Sequence, residues 1–228
     1  MLESLTIVLE NLPNILAGSL VTISIVLCSL TLGFALGVPL AVRQAYGCCA
    51  EQLLVRLFVW FFRGTPVLVL LFLFYYGLPV ITGMDISAFT ASCLVLGLAS
   101  AAYQSQIFRG AIASLPQGQL QAARALGMSD IRGIISVILP QALRFSIPAW
   151  TNEFSILLKD SALVFALGGA QDIMARAHFA ASRTYEHIPF YLTAGLLYYV
   201  ITLLGLWGMR KVEKKVYIPG YAVGGKAL

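Results

Sequence analysis

Four stretches of this chain contain no Asp, Glu, Lys or Arg: residues 11–42, 64–84, 86–108 and 188–209. Each is long enough for a helix of about 20 residues to cross the hydrocarbon core of a bilayer. In lipid every backbone N–H and C=O has to be paired within the protein, so such runs are read as helices. A fifth stretch, 145–171, is mostly apolar but carries Glu153, Lys159 and Asp160. The chain therefore reads as five spans, at about 14–42, 57–80, 87–110, 144–170 and 188–210. Composition agrees, with 59% hydrophobic and 11% charged residues, against roughly a quarter charged in a soluble domain. Too little polar surface is left to cover a water-facing core. A disordered chain is excluded as well, since hydrophobicity is high and the net charge is only +5. The expectation is one all-α transmembrane domain over residues 1–228.

The basic residues orient the chain. The segments that alternate across five spans hold twelve of the fifteen Lys and Arg on one side and three on the other. By the positive-inside rule the rich side is cytoplasmic. It includes Arg43, Arg56 and Arg63 in the first connection, Arg109, Arg124, Arg132 and Arg144 in the third, and the tail beyond Arg210. The N-terminus is then outside, and the basic pI needs no nucleic acid. Glu3 and Glu10 precede the first apolar run without Lys or Arg, which is not the pattern of a cleaved leader. Cys28, Cys48, Cys49 and Cys93 lack C-x-x-C spacing and read as small buried side chains rather than a metal site or disulfide framework. His178 and His187, nine residues apart, read as solvated or partly packed. Gly33 and Gly37 form a G-x-x-x-G that lets helices pack closely.

The third connection, about 114–140, has a helical pattern of its own. Leu120, Ala123 and Leu126 recur at helix spacing, and Gly127 follows as a C-cap, where a left-handed conformation suits glycine. Ser129 and Asp130 offer N-cap chemistry for a second short helix. Ile131, Ile134, Ile135 and Ile138 form its apolar face, and Pro140 is expected to end it. Two short helices joined at a glycine are either an interfacial amphipathic hairpin or a docking element for a soluble partner.

This loop resembles the E-A-A-x3-G-x9-I-x-L-P loop of permease subunits in bacterial ABC importers. Here it reads Gln121-Ala122-Ala123, three residues, Gly127, nine residues, then Val137-Ile138-Leu139-Pro140. Gln121 stands for the family glutamate and Val137 for the isoleucine. Further segments resemble the polar amino-acid branch, the histidine/glutamine-type permeases. They are Phe62-Arg63-Gly64-Thr65-Pro66, Tyr75-Tyr76-Gly77-Leu78-Pro79, Ala102-Tyr103 with Gln106-Ile107-Phe108-Arg109-Gly110, and Asn152-Glu153 with Lys159-Asp160-Ser161. Leu70 stands where this branch often has a glutamine, at a position expected to face the pathway.

The resemblance implies a type I ABC importer permease fold in the bacterial inner membrane. It implies an ATP-driven import of a polar or charged amino acid, with no catalysis on this chain. The implied partners are an ATP-binding cassette ATPase dimer that holds ATP and Mg, a second permease copy or homologue, and an extracytoplasmic amino-acid-binding protein. Gln121, Ala122, Ala123, Gly127, Leu139 and Pro140 fall on the family's ATPase-coupling loop. A self-contained secondary transporter or channel would explain the spans but not that loop. Gly220–Lys226 fits a G-x4-G-K phosphate loop. Ala227 follows instead of Ser or Thr, and a chance match is the reading adopted.

Glu153 and Asp160 are seven residues apart and fall on one helical face, with Ser146 one heptad earlier. Lys159 lies on another face, with Asn152 and Ser155 beneath it. Ionisable groups in a span face protein or a water-filled cavity. Either they lie near an interface or pair internally, with Arg63 or Arg109, or Glu153, Asp160, Lys159, Asn152 and Ser155 line a substrate pathway. Lys159-Asp160-Ser161 is also a place where the helix can break. No metal site is expected.

Orientation is open to a direct test in a background without native cysteines. Ser4→Cys should react with an impermeant thiol reagent in intact cells, and Gly224→Cys should not; the opposite pattern reverses the topology.

Overall fold

The computed structural model describes residues 2–216, whose regular structure is all helical, with no strand among them. The glycine-rich string at 220–226 lies outside the described residues. Helix α1 runs from Leu2 to Tyr46 and α2 from Cys49 to Gly64. Helix α3, Val67–Phe72, continues through a π-helical turn at Leu73–Gly77 into α4, Leu78–Thr82. Helix α5 spans Ala88–Ala113, α6 Gly118–Ala125 and α7 Asp130–Gly133. A second π-helical turn, Ile134–Ile138, leads into α8, Leu139–Asp160, which tightens to a 3-10 helix over Ser161–Leu167. Helices α9, Ile173–Thr184, and α10, His187–Val216, complete the chain.

Four helical stretches are long and apolar enough to cross a membrane: Thr6–Tyr46, Ala88–Ala113, Asp130–Leu167 and His187–Val216. The segment expected as a straight span at 57–80 is instead a bent pair, and counting that pair as one brings the number to five. Cys49–Gly64 and Val67–Thr82 meet at 103°. The bend has a local cause. Pro66 has no N–H to continue the helix and drives Thr65 to extended backbone, φ −101° and ψ 132°. The bend also keeps Arg63 and Glu51 out of the apolar segment that follows. Helix α2 starts where the Glu51 carboxylate accepts the Cys48 N–H (3.0 Å) and pairs with Arg43. It buries Val55 and Phe62 and leaves Leu53, Leu54, Leu57 and Trp60 exposed.

The expected stop at Pro140 is corrected as well. Asp130 to Leu167 is one unbroken rod, so the second loop helix is the end of the fourth span. Pro140 lies in the first turn of α8, directly after the π turn, where the Leu139 N–H reaches Ile134 C=O. The widened π turn before Pro140 accommodates its ring and its missing N–H, so the helix continues.

Helices α1, α5 and α8 form the centre. Gly33 and Gly37 let α1 and α5 approach so closely that a Cβ on Gly33 would stand 2.9 Å from Ser100 Oγ, and one on Gly37 3.0 Å from Gln104 Cβ. Phe34 meets Phe108 and Trp150 edge-on, at 5.5 and 6.1 Å between centroids. The main core joins Ile25, Val26, Leu70, Leu71, Val95, Leu96, Leu157 and Leu158. Leu70 is fully buried there within this one chain, so the expectation that it faces a pathway is corrected.

Candidate functional site

Helix α6 and the base of the fourth span form a braced unit at one end of the bundle. Helix α6 ends in a Schellman turn: Met128 N–H reaches Ala123 C=O (3.0 Å) and Gly127 N–H reaches Arg124 C=O (2.9 Å). Gly127 takes φ +80°, with nothing within 4 Å of where a Cβ would stand. The expected left-handed glycine is therefore present, and open space surrounds it. Ser129 Oγ caps α7 by accepting the Arg132 N–H (3.4 Å).

Three contacts lock α6 to the rod. Leu120 and Ala123 lie against Gly133, where a Cβ would meet Leu120 Cδ1 at 2.9 Å. Arg124 grips Asp130 through two bonds of 2.7 and 3.0 Å. Gln119 and Gln141 exchange amide hydrogen bonds of 3.0 and 2.8 Å. Of the expected coupling residues, Ala123 is buried in this packing and Leu139 is half-buried. Gln121, Ala122, Gly127 and Pro140 are exposed. Leu126, Ile131 and Ile135 surround them as exposed apolar side chains.

The residues expected to line a pathway divide into two groups. Glu153 is 4% exposed and accepts a hydrogen bond from Ser100 Oγ (2.8 Å). Asn152 and Lys159 lie on the exposed face of α8, and Ser155 and Asp160 are half-buried. The helix changes from α to 3-10 at Ser161 and ends at Gly168, φ +74°. The expected break beside Lys159-Asp160 is thus a tightening. Among the described residues neither Glu153 nor Lys159 nor Asp160 forms an ion pair within 4 Å. Arg63 and Asp160 are the charges whose fields reach Glu153. Arg63 itself rests on the Tyr103 ring, 4.8 Å from its centroid. That contact joins two of the segments, Phe62–Pro66 and Ala102–Tyr103, on which the family resemblance rests.

A polar chain that the spacing of charges did not reveal accounts for Glu153. Trp150 Nε1 donates to Gln104 Oε1 (2.8 Å), and Gln104 Nε2 donates to Ser100 Oγ (3.0 Å) and to Leu30 C=O (3.2 Å). Ser100 Oγ then donates to Glu153. The chain ties α1, α5 and α8 together. Among the described residues no buried side-chain N or O lacks a partner, as an apolar surround demands. Ser100 and Gln104 are four residues apart and are both polar within a charge-free span. That spacing puts them on one helix face and was the available signal.

Asp172 was also missed. It is fully buried, caps α9 by accepting the Met174 and Ala175 N–H groups (both 3.2 Å), and accepts from Tyr198 Oη (3.2 Å). Burial pushes its carboxyl up to about 6, against the opposing pull of these donors. An Asp directly before Ile173-Met174-Ala175 is an N-cap pattern legible in the sequence. Arg176 anchors the same helix to α1 through Asn14 C=O (3.1 Å) and the Asn14 side chain. His178 is partly packed as expected, with Nδ1 2.9 Å from Tyr191 Oη.

The sequence profile of the binding-protein-dependent transport system inner membrane component family matches residues 33–217. The arginine transport system permease protein ArtQ of Bacillus subtilis (strain 168) is 36% identical over 215 residues, covering 91% of this chain and 94% of that protein. The L-cystine transport system permease protein TcyL of the same organism is 31% identical over 213 residues, covering 91% and 89%. Among solved structures, the crystal structure of an amino acid ABC transporter with histidines contains a similar chain. It superposes with a TM-score of 0.80 at 32% identity, over 91% of this chain and 96% of that one.

Proposed function

This chain belongs to the family of binding-protein-dependent transport system inner membrane components, and we propose that it is the permease subunit of an ATP-driven importer of a polar or charged amino acid. The observation that carries the proposal is the braced unit of α6 and the fourth span. A soluble motor needs a surface to grip and a stiff element to move. Exposed Gln121, Ala122 and Gly127, ringed by Leu126, Ile131 and Ile135, supply the surface. The unbroken rod from Asp130 to Leu167 supplies the element. It runs from that surface to Asn152, Lys159 and Asp160.

In this reading a separate ATP-binding cassette ATPase dimer binds ATP and Mg and docks on α6. The neutral Gln121 meets it by hydrogen bonding in place of the family's carboxylate. A second permease, identical or homologous, faces the exposed polar side of α8. An extracytoplasmic binding protein delivers the amino acid at the α9 end. The N-terminus is outside and the tail is cytoplasmic, in keeping with the asymmetry of Lys and Arg. The named substrates of similar permeases, arginine and cystine, support an amino-acid cargo. On α8, Asp160 meets the substrate ammonium and Lys159 its carboxylate, with Asn152 and Ser155 alongside. Glu153 fixes the helix that carries them, since its carboxylate is turned to Ser100.

Uptake into proteoliposomes, with and without the ATPase, tests this reading. Gly127→Val puts a β-branched residue at φ +80°, a strain of about 1–3 kcal/mol, and should cut ATP-driven uptake roughly ten-fold without altering insertion. Gly127→Asn, which tolerates the left-handed region, should retain most of it. Normal uptake by Gly127→Val removes the docking role. Asp160→Asn should lower arginine uptake more than glutamine uptake at matched expression, and wild-type rates for both substrates in that variant would remove Asp160 from the pathway.

A further inference from the structure

We infer that a cavity beside Arg109, at the α6 end of the bundle, is a binding site for the head group of an anionic phospholipid. The cavity holds about 420 Å³ and lies between the last turn of α1, the last turn of α5 and the start of the loop. Its chemistry has two parts. The floor is apolar, built from Ile112, Leu115 and Leu120 beside Ala45. The polar side is Arg109 with Gln44, Tyr46 and Gln117. No acidic residue lines it.

The guanidinium is aimed by neutral groups. Arg109 Nε donates to Gln106 Oε1 (3.0 Å), and Gln106 Nε2 donates to Gln44 Oε1 (2.7 Å) and to Ser105 Oγ (3.2 Å). This relay uses Nε and leaves both terminal nitrogens of Arg109 without a hydrogen-bond partner among the described residues. Arg109 makes no ion pair there either. Two other cations at this end are neutralised, Arg43 by Glu51 and Arg124 by Asp130. A planar cation with its outer edge open, held over an apolar floor and facing no carboxylate, is complementary to a phosphate diester bearing acyl chains.

Position selects a lipid over a soluble anion. Arg109 lies one turn before the end of the 26-residue span α5, and Tyr46 ends α1 beside it. In the proposed orientation that is the level of the cytoplasmic head groups, where tyrosine is enriched and basic residues concentrate. A free anion would use the guanidinium but gain nothing from Ile112, Leu115 and Leu120. The site also gives a role to Gln106 and Arg109, which neither the proposed coupling surface nor the proposed pathway uses.

The test is native mass spectrometry of the full-length permease in its purified detergent complex, titrated with phosphatidylglycerol. Wild type should retain the lipid about five-fold better than Arg109→Gln, the effect of one basic side chain at a membrane surface. Arg210→Gln, a surface charge at the far end of α10, should retain it like wild type. Ala113→Phe, which fills the mouth of the cavity and leaves Arg109 in place, should lose it as Arg109→Gln does; this variant decides the matter if Arg109→Gln fails to assemble. Phosphatidylcholine should be held less tightly than phosphatidylglycerol. Equal retention by wild type and both cavity variants would overturn the inference. Displacement of the lipid by millimolar inorganic phosphate would overturn it too, and would make the cavity a soluble-anion site.

Discussion

Polar groups inside an apolar bundle have to be paired by the bundle itself, and Gln104 is where this chain meets that requirement. Its amide takes the Trp150 indole N–H and gives hydrogens to Ser100 and to the Leu30 carbonyl, while Ser100 passes the chain on to Glu153. Three helices distant in sequence are thereby held in one register. The close approach of α1 and α5 exists for this contact, because Gly33 leaves the volume that the Gln104 amide and Ser100 occupy. Removing a partner from such a chain strands a buried donor or acceptor at a cost of about 1–3 kcal/mol.

The same economy of pairing explains how a loop motif and a pathway come to be one mechanical object. Pro140 reads as a stop in the sequence, and the π turn at Ile134–Ile138 lets the helix continue through it. Arg124–Asp130, Gln119–Gln141 and the Leu120–Gly133 contact then fix α6 to the base of the rod. At the opposite end the Asp172 cap and the Arg176–Asn14 contact hold α9 to α1. In the proposed mechanism, motion applied at α6 passes to α8 through these contacts and to α1 and α5 through Gln104.

Much of this was legible in the residues. Charge-free runs located three of the four long spans and the second arm of the bent pair, because lipid excludes unpaired charge. Gly127 announced its left-handed turn, and Ser129 its cap. The 103° bend after Gly64 was not anticipated, although Thr65-Pro66 carries the signal, because hydropathy alone treats α2 and α3 as continuous. The continuity through Pro140 was hidden because a π turn has no residue pattern of its own. Glu153 shares a helical face with Asp160 by spacing alone. Spacing fixes which face a side chain shares but not which neighbour fills it, and here that neighbour is Ser100, 53 residues away.

A docked motor can drive the bundle through α6 only if α6 and α8 move as one body. Spin labels at Leu126 and Ala149, placed as cysteines in a chain freed of Cys28, Cys48, Cys49 and Cys93, would measure it by pulsed electron resonance in the complete transporter. The distance should be the same in the nucleotide-free and ATP-bound complexes. A change of ~5 Å, about one helical turn, would show that α6 and α8 move separately.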